Sequence, residues 1–183
     1  MNTAEQDQLL RWARRAIEQA VRGEKSAPVV GLTDNLCTPH AAFVTLKKHG
    51  ELRGCIGHMD FARPLWQNVV GAAVASALED SRFTPVVPAE LPELRLEISM
   101  LERPVDLPRI AEFDAQRQGI IIQRGMRRAL LLPKVAQEYG WSAEQVLACV
   151  CQKAGLPADA WREPETRFQV FTAFDFGEPE VED

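Results

Sequence analysis

The chain has 183 residues, 46% hydrophobic and 26% charged, with a net charge of −5. That length holds one domain, or one domain in two lobes, and it buries a core without disulfide or metal staples. The acidic balance argues against a general nucleic-acid or anionic-membrane binder, which needs a basic face.

Thr3 with Gln6 three residues later fits a capping box. Leu9, Leu10, Ala13, Ala16, Ile17, Ala20 and Val21 then recur at helical spacing, and Gly23 supplies a stop. Arg11, Arg14, Arg15 and Arg22 are offset by Glu5, Asp7 and Glu18, which reads as a solvated helix face. No signal peptide opens the chain and no apolar run has the length of a membrane span. We therefore expect a cytoplasmic protein with reduced thiols. Glu24 to Pro39 carries Pro28, Gly31, Asp34, Asn35 and Pro39 and reads as loop with short extended pieces. Cys37 and His40 lie close in this loop but make a weak metal signal.

Ala42 to Lys47 is β-rich, residues 48–51 turn, and Leu52 to Gly57 runs back as a hairpin with a loop of about four residues. The returning strand reads Leu52-Arg53-Gly54-Cys55-Ile56-Gly57-His58. Glycine weakens a strand interior and is kept where backbone passes close to something. Regular alternation puts Arg53, Cys55 and Gly57 on one face and Leu52, Gly54, Ile56 and His58 on the other. His58 then joins Cys55 only through a bulge or by the strand ending at Gly57. A reactive Cys55 needs exposure and a partner base, whereas free cysteine is also among the most buried residue types. Both readings stand from the residues alone.

Pro64 suits the first turn of a helix that continues through Leu78 with apolar residues over a wide arc and should pack deeply across the sheet. Asp80-Ser81-Arg82-Phe83 ends it; Asp80 and Arg82 are either a structural pair or pocket lining. Pro85 and Pro88 exclude further helix until Leu91. Leu94, Leu96, Ile98 and Met100 alternate with Arg95, Glu97 and Ser99 as a half-buried strand, with Glu97 turned away from the apolar stripe. Pro104 and Pro108 flank a connector. Gly119 to Arg124 and Arg127 to Leu132 form a second hairpin through Gly125-Met126. Arg124, Arg127 and Arg128 gather at its turn, read as a charged tip in preference to an anion site. Pro133 opens a short helix stopped by Gly140, and Ser142 with Gln145 caps another that ends at Gly155 and Pro157. Cys149-Val-Cys151 is not a zinc spacing and reads as helix residues. Arg167 to Phe174 is a predicted strand, and the tail from Asp175, with Glu178, Glu180, Glu182 and Asp183, is expected to fray. Glycine-rich phosphate loops, nucleotide fingerprints, serine elbows and zinc-protease helices do not occur.

Phe43-Val44-Thr45-Leu46, Leu-Arg-Gly-Cys-Ile-Gly at 52–57 and Asp80-x-Arg82-Phe83-x-Pro85 follow one another in an order that resembles the AMMECR domain family. Glu97-Ile98-Ser99, Gly119-Ile120, Leu132-Pro133-x-Val135-Ala136 and Lys153-Ala154-Gly155 continue the likeness, which covers at least residues 39–156. The resemblance implies a single AMMECR-type domain over residues 1–183, α+β and two-lobed. It implies antiparallel sheets packed with helices, and the signature near the cleft between lobes. It implies a protein encoded beside a Memo-like protein and a radical S-adenosylmethionine protein, and it implies no settled activity. Ala41-Ala42 stands where some members carry cysteine, which weakens any mechanism that needs a second thiol there.

The expected function is an enzyme or enzyme component with Cys55 as nucleophile or covalent carrier and His58 as candidate base. Thr45, Arg53, Gly54, Gly57, Asp80, Arg82 and Glu97 are the candidate ligand-binding set. The alternative is a non-catalytic adaptor for the Memo-like partner; RNA binding ranks third. Neither a metal nor a cofactor is assigned.

Overall fold

The computed structural model describes residues 1–179. In chain order the elements are helix α1 (Thr3–Val21), helix α2 (Asp34–Cys37), strands β1 (Ala41–Lys48) and β2 (Glu51–His58), helix α3 (Leu65–Leu78), and strands β3 (Leu94–Leu101) and β4 (Val105–Asp106). Strands β5 (Gly119–Arg124) and β6 (Arg127–Leu131), helices α4 (Pro133–Tyr139) and α5 (Ala143–Lys153), and strands β7 (Arg167–Phe171) and β8 (Ala173–Gly177) follow. They make two compact units: Met1–Leu101 together with the chain from Phe174, and Glu102–Ala173. Each unit has its own four-stranded sheet and helices, so the class is α+β.

In the first unit the strand order is β2-β1-β3-β8, and β1 pairs antiparallel with both neighbours. The period of two turns Ala42, Val44 and Leu46 of β1, and Leu94, Leu96 and Ile98 of β3, to one side. There they meet Leu9, Ala13 and Ile17 of α1 and Leu65, Val69, Ala72 and Ala73 of α3 in one buried cluster. Each fully buried Leu or Ile contributes roughly 1.5–3 kcal/mol, so this one-sided burial fixes which way every side chain of the sheet points.

Several local expectations change. The cap of α1 is Asn2, not Thr3, and its box partner is Glu5, not Gln6: Asn2 Oδ1 accepts the Glu5 N–H while the Glu5 carboxylate accepts the Asn2 N–H. Glu5 is buried, and its carboxylate also accepts from Thr33 Oγ1 and Asn35 Nδ2, so it ties down the loop that follows α1. That loop contains the one-turn helix α2, capped by Thr33. The β1–β2 turn has two residues, not four: His49 (φ 51°) and Gly50 (φ 80°) are both left-handed, as a type I′ hairpin requires. Pro88 starts a 3-10 turn, Pro88–Glu93, because a proline at the first position lacks only an N–H that is unpaired there anyway.

The second unit has strand order β4-β7-β5-β6, all antiparallel. Ile120, Ile122, Leu131 and Val170 pack on Val146, Leu147, Val150 and Cys151 of α5. Gly140 and Gly155 stop α4 and α5 in left-handed backbone.

The larger correction concerns the C-terminal stretch. The strand predicted over Arg167–Phe174 is two strands in different sheets: β7 in the second unit and, after Thr172, β8 in the first. The tail expected to fray from Asp175 is instead strand through Gly177. Ser99 Oγ donates to Asp175, and the Glu178 carboxylate takes Arg14 and the Leu96 N–H. Arg14 also donates to the carbonyls of Leu91 and Leu94, and its pKa is raised by the Glu178 hydrogen bond. Of the acidic tail, Glu180, Glu182 and Asp183 lie outside the described residues. Among the described residues no helix is long and apolar enough to cross a membrane.

Glu178→Ala should lower the stability of the first unit by about 2 kcal/mol, because a half-buried guanidinium and a strand N–H lose their acceptor together. Amide exchange should speed up in β3 and β8 and stay unchanged in β5; equal exchange in both sheets would refute the link.

Candidate functional site

β2 is an edge strand, and edge strands expose unpaired N–H and C=O groups. Here they are occupied by the helix–turn that follows. α3 ends at Leu78, and Asp80 folds back so that its Oδ2 accepts the Cys55 N–H at 2.8 Å. Arg82 donates Nε and one terminal nitrogen to the same carboxylate, at 2.9 and 2.6 Å, and donates also to the Cys55 carbonyl at 3.2 Å. One acid and one base two residues apart thus hold both polar main-chain groups of Cys55. The Asp80 side chain is only 4% exposed. The Arg82 hydrogen bond, with the N–H groups of Cys55 and Arg82, outweighs the burial cost and brings its pKa down to about 2.

One turn earlier, the Ser76 hydroxyl accepts the Ile56 N–H and donates to the Val44 carbonyl, both at short range (2.8 and 2.7 Å). The Ser76 carbonyl lies so close to Gly54 that a Cβ there would sit 2.1 Å from its oxygen. Gly54 is therefore the point where α3 rests on the strand, which explains the first glycine of the signature. The second, Gly57, has a different neighbour: a Cβ would fall within the Phe43 ring, 2.1 Å from its nearest carbon. Gly57 makes room for an aromatic side chain on the face away from the helices.

That face carries the candidate site. Cys55 pairs with Thr45 on β1, and Thr45 pairs with Glu97 on β3, so thiol, hydroxyl and carboxylate lie in one cross-strand row. Cys55 Sγ is 3.4 Å from Thr45 Oγ1. Lys47 reaches Glu97 at 2.6 Å. Ser99, fully buried, stands one row along and is bonded to Asp175. Cys55 and Glu97 are half-buried and Thr45 is buried.

Of the residues that the sequence nominates, Cys55, Thr45 and Glu97 come together, and Gly54, Gly57, Asp80 and Arg82 hold them in place. Two do not join. A bulge between Leu46 and Lys47 sets Leu52 opposite Lys47 and leaves Arg53 as the extra residue. Arg53 makes a two-pronged pair with Glu90, 2.9 Å on each prong, which pulls the Glu90 carboxyl down to about 2. From Gly54 to His58 the register is unbroken, so His58 lies on the opposite face from Cys55. There it approaches α3: a Cβ added at Gly71 would lie 4.0 Å from its Nε2. The structure does not bring a histidine base to the thiol. Sequence reasoning misses Lys47, Ser99 and Asp175; the alternation around Ser99 is a usable signal, whereas Asp175 falls in a stretch that reads as tail.

The other cysteines differ. Cys37 is exposed, Cys149 half-buried and Cys151 buried, its thiol pushed up by burial. Among the described residues no group of three His, Cys, Asp or Glu is arranged to hold a metal ion.

A family model described as AMMECR1 matches residues 10–176. A protein of Methanothermobacter thermautotrophicus is 42% identical over 179 residues, 93% of this chain and 92% of that one. Protein TK0174 of Thermococcus kodakarensis is 41% identical over 181 residues, 93% of this chain and 88% of its own length. The crystal structure of the uncharacterized protein PH0010 from Pyrococcus horikoshii superposes with a TM-score of 0.88 at 38% identity, covering 93% of this chain and 89% of that one.

The clamp makes stability acid-sensitive. The ordinary Asp80 value is 3.8 and the folded one about 2, so the ionised form is favoured by folding. Its contribution, about 2 kcal/mol, is complete above about pH 5 and is lost as pH falls from there through about 2. Asp80→Asn should flatten that fall when urea midpoints are measured against pH; an unchanged slope would exclude the clamp as its source. Gly54→Ala should cost roughly 3 kcal/mol, since main chain rather than a movable side chain blocks the new methyl. A variant as stable as the parent would contradict the close approach of α3.

Proposed function

The chain belongs to the AMMECR1 family, and from that premise we propose that it is the binding component of an enzyme system, presenting Cys55 as its reactive group to a polar ligand or peptide. The observation that carries this reading is the way Cys55 is held. The clamp grips it through main-chain N–H and C=O alone. Nothing in it requires sulfur, so any residue at 55 with a main-chain N–H, that is any but proline, would satisfy Asp80 and Arg82. The thiol is directed instead to the face where Thr45 and Glu97 stand in line with it. A fixed thiol beside a hydroxyl and a carboxylate offers a polar ligand one soft nucleophile, a hydroxyl partner and one charged acceptor.

The same geometry favours binding over self-contained acid–base catalysis. General-base activation needs a base within about 3 Å of the proton it takes. His58, the base that the sequence nominates, faces the other way. Among the described residues the side-chain contact of the Cys55 thiol is the Thr45 hydroxyl, with Glu97 one strand further along the row, so on this reading the proton acceptor comes with the ligand or with a partner. That fits a component acting with a Memo-like protein and a radical S-adenosylmethionine protein in the cytoplasm, where thiols stay reduced. On this reading the adaptor and the enzyme component are one protein: the adaptor supplies the thiol.

Iodoacetamide labelling mapped by peptide mass spectrometry tests it, with the other three cysteines as controls. Cys55 should label more slowly than exposed Cys37 and well before buried Cys151, and adding the Memo-like protein should protect Cys55 several-fold while leaving Cys37 unchanged. Resistance of Cys55 until unfolding, or equal labelling with and without the partner, would sink the proposal.

A further inference from the structure

The net charge of −5 is unevenly shared. Residues 102–173 carry ten Lys and Arg against nine Asp and Glu, so the acidic excess belongs wholly to the first unit. In the second unit, arginines gather at one end of the sheet. Arg124 and Arg127, which pair across the β5–β6 hairpin, are engaged: Arg124 with Glu165 at 3.4 Å and Arg127 with the Gly155 carbonyl. The next row is different. Arg128 on β6 pairs with Gln123 on β5, and Gln123 pairs with Arg167 on β7. Residues directly opposite share a face, so the three side chains form one row, Arg128–Gln123–Arg167, on the side away from the α5 core. All three are exposed, and among the described residues neither Arg128 nor Arg167 has a carboxylate partner.

We propose that Arg128, Gln123 and Arg167 form a cradle for a phosphate-bearing anion with at least two phosphoryl groups. Two strand spacings put the arginine Cα atoms about 10 Å apart, and two long side chains reach inward over the amide between them. Each guanidinium offers a planar fork that matches a phosphoryl group with two parallel N–H···O bonds. Gln123 Nε2 has only a long contact, 3.4 Å to the Gly125 carbonyl, and keeps a second N–H for the bridging region. The number of phosphoryl groups follows from magnitude. An exposed single-charge pair is worth little in water, so a monocarboxylate would not stay, whereas an anion with two phosphoryl groups engages both forks at once. The second unit adds no acidic excess to repel it.

The expected ligand chemistry has two sources, a free oligophosphate or the backbone of a nucleic acid, and the test separates them. Isothermal titration of the full chain with inorganic pyrophosphate at low salt should give a Kd of about 1 mM or tighter. Arg128→Gln and Arg167→Gln should each weaken it about tenfold, while Arg11→Gln, on α1 of the first unit, leaves it unchanged. A short single-stranded RNA that binds while pyrophosphate does not assigns the phosphates to a polymer. In that case log K should fall with log salt at a slope near about −1.4, by about 0.7 per phosphate, and each variant should remove about 0.7. Binding of neither anion, or binding that both variants leave intact, overturns the cradle. Far-ultraviolet circular dichroism of each variant confirms that the fold persists, since both positions are exposed.

Discussion

The first unit depends on how its outer strand is closed. β2 has one neighbour in the sheet, and its free edge would otherwise offer main-chain donors and acceptors to any passing strand. The Asp80 carboxylate and the Arg82 guanidinium fill that role with two side chains from one turn. A buried carboxylate normally loses more in desolvation than one ion pair returns. Asp80 escapes that balance because three kinds of donor converge on it: a guanidinium, a strand N–H and the N–H of Arg82 itself. The result is a candidate site residue whose main chain is immobilised while its side chain is left unconstrained by the clamp. Ser76 and Gly54 apply the same logic one turn earlier, with a hydroxyl bridging two strands and a missing side chain admitting the helix.

Much of this is legible in the sequence. The period-two stripes at 42–47 and 94–100 and the helical stripe at 65–78 are set by burial, which is strong enough to dominate local preference. The Gly-Cys-Ile-Gly core does mark a close approach of backbone, although the two glycines answer to different neighbours, a carbonyl and an aromatic ring. Arg53 cannot be placed from sequence because a bulge changes the face of a residue without changing its spelling. Asp80 and Arg82 stand out as a pair, but that their partner is the main chain of a residue twenty-five positions before Asp80 has no sequence signal. His58 follows the alternation, so its separation from Cys55 is already implicit in the pattern.

The arginines show how a whole-chain average hides a local property. A net charge argues fairly about the molecule as a solute, and poorly about any one face of it. Here the acidic excess falls in the first unit, and ladder register lines up side chains that the sequence scatters over more than forty positions. Pairing in a sheet is a nonlocal fact, so a row of this kind becomes visible only once the strands are assembled.

The strand order also sets a timetable. β8 leaves the ribosome after every strand of the second unit, yet it lies beside β3 in the sheet that begins with β1, and Arg14 waits for Glu178 across more than 160 residues of chain. The second unit is continuous in sequence. During synthesis, which exposes the chain from its N-terminus, the second unit has all of its strands before the first has its fourth. The unit begun first is therefore completed after the second, and the nascent chain carries β3 with an open edge until β8 has been made.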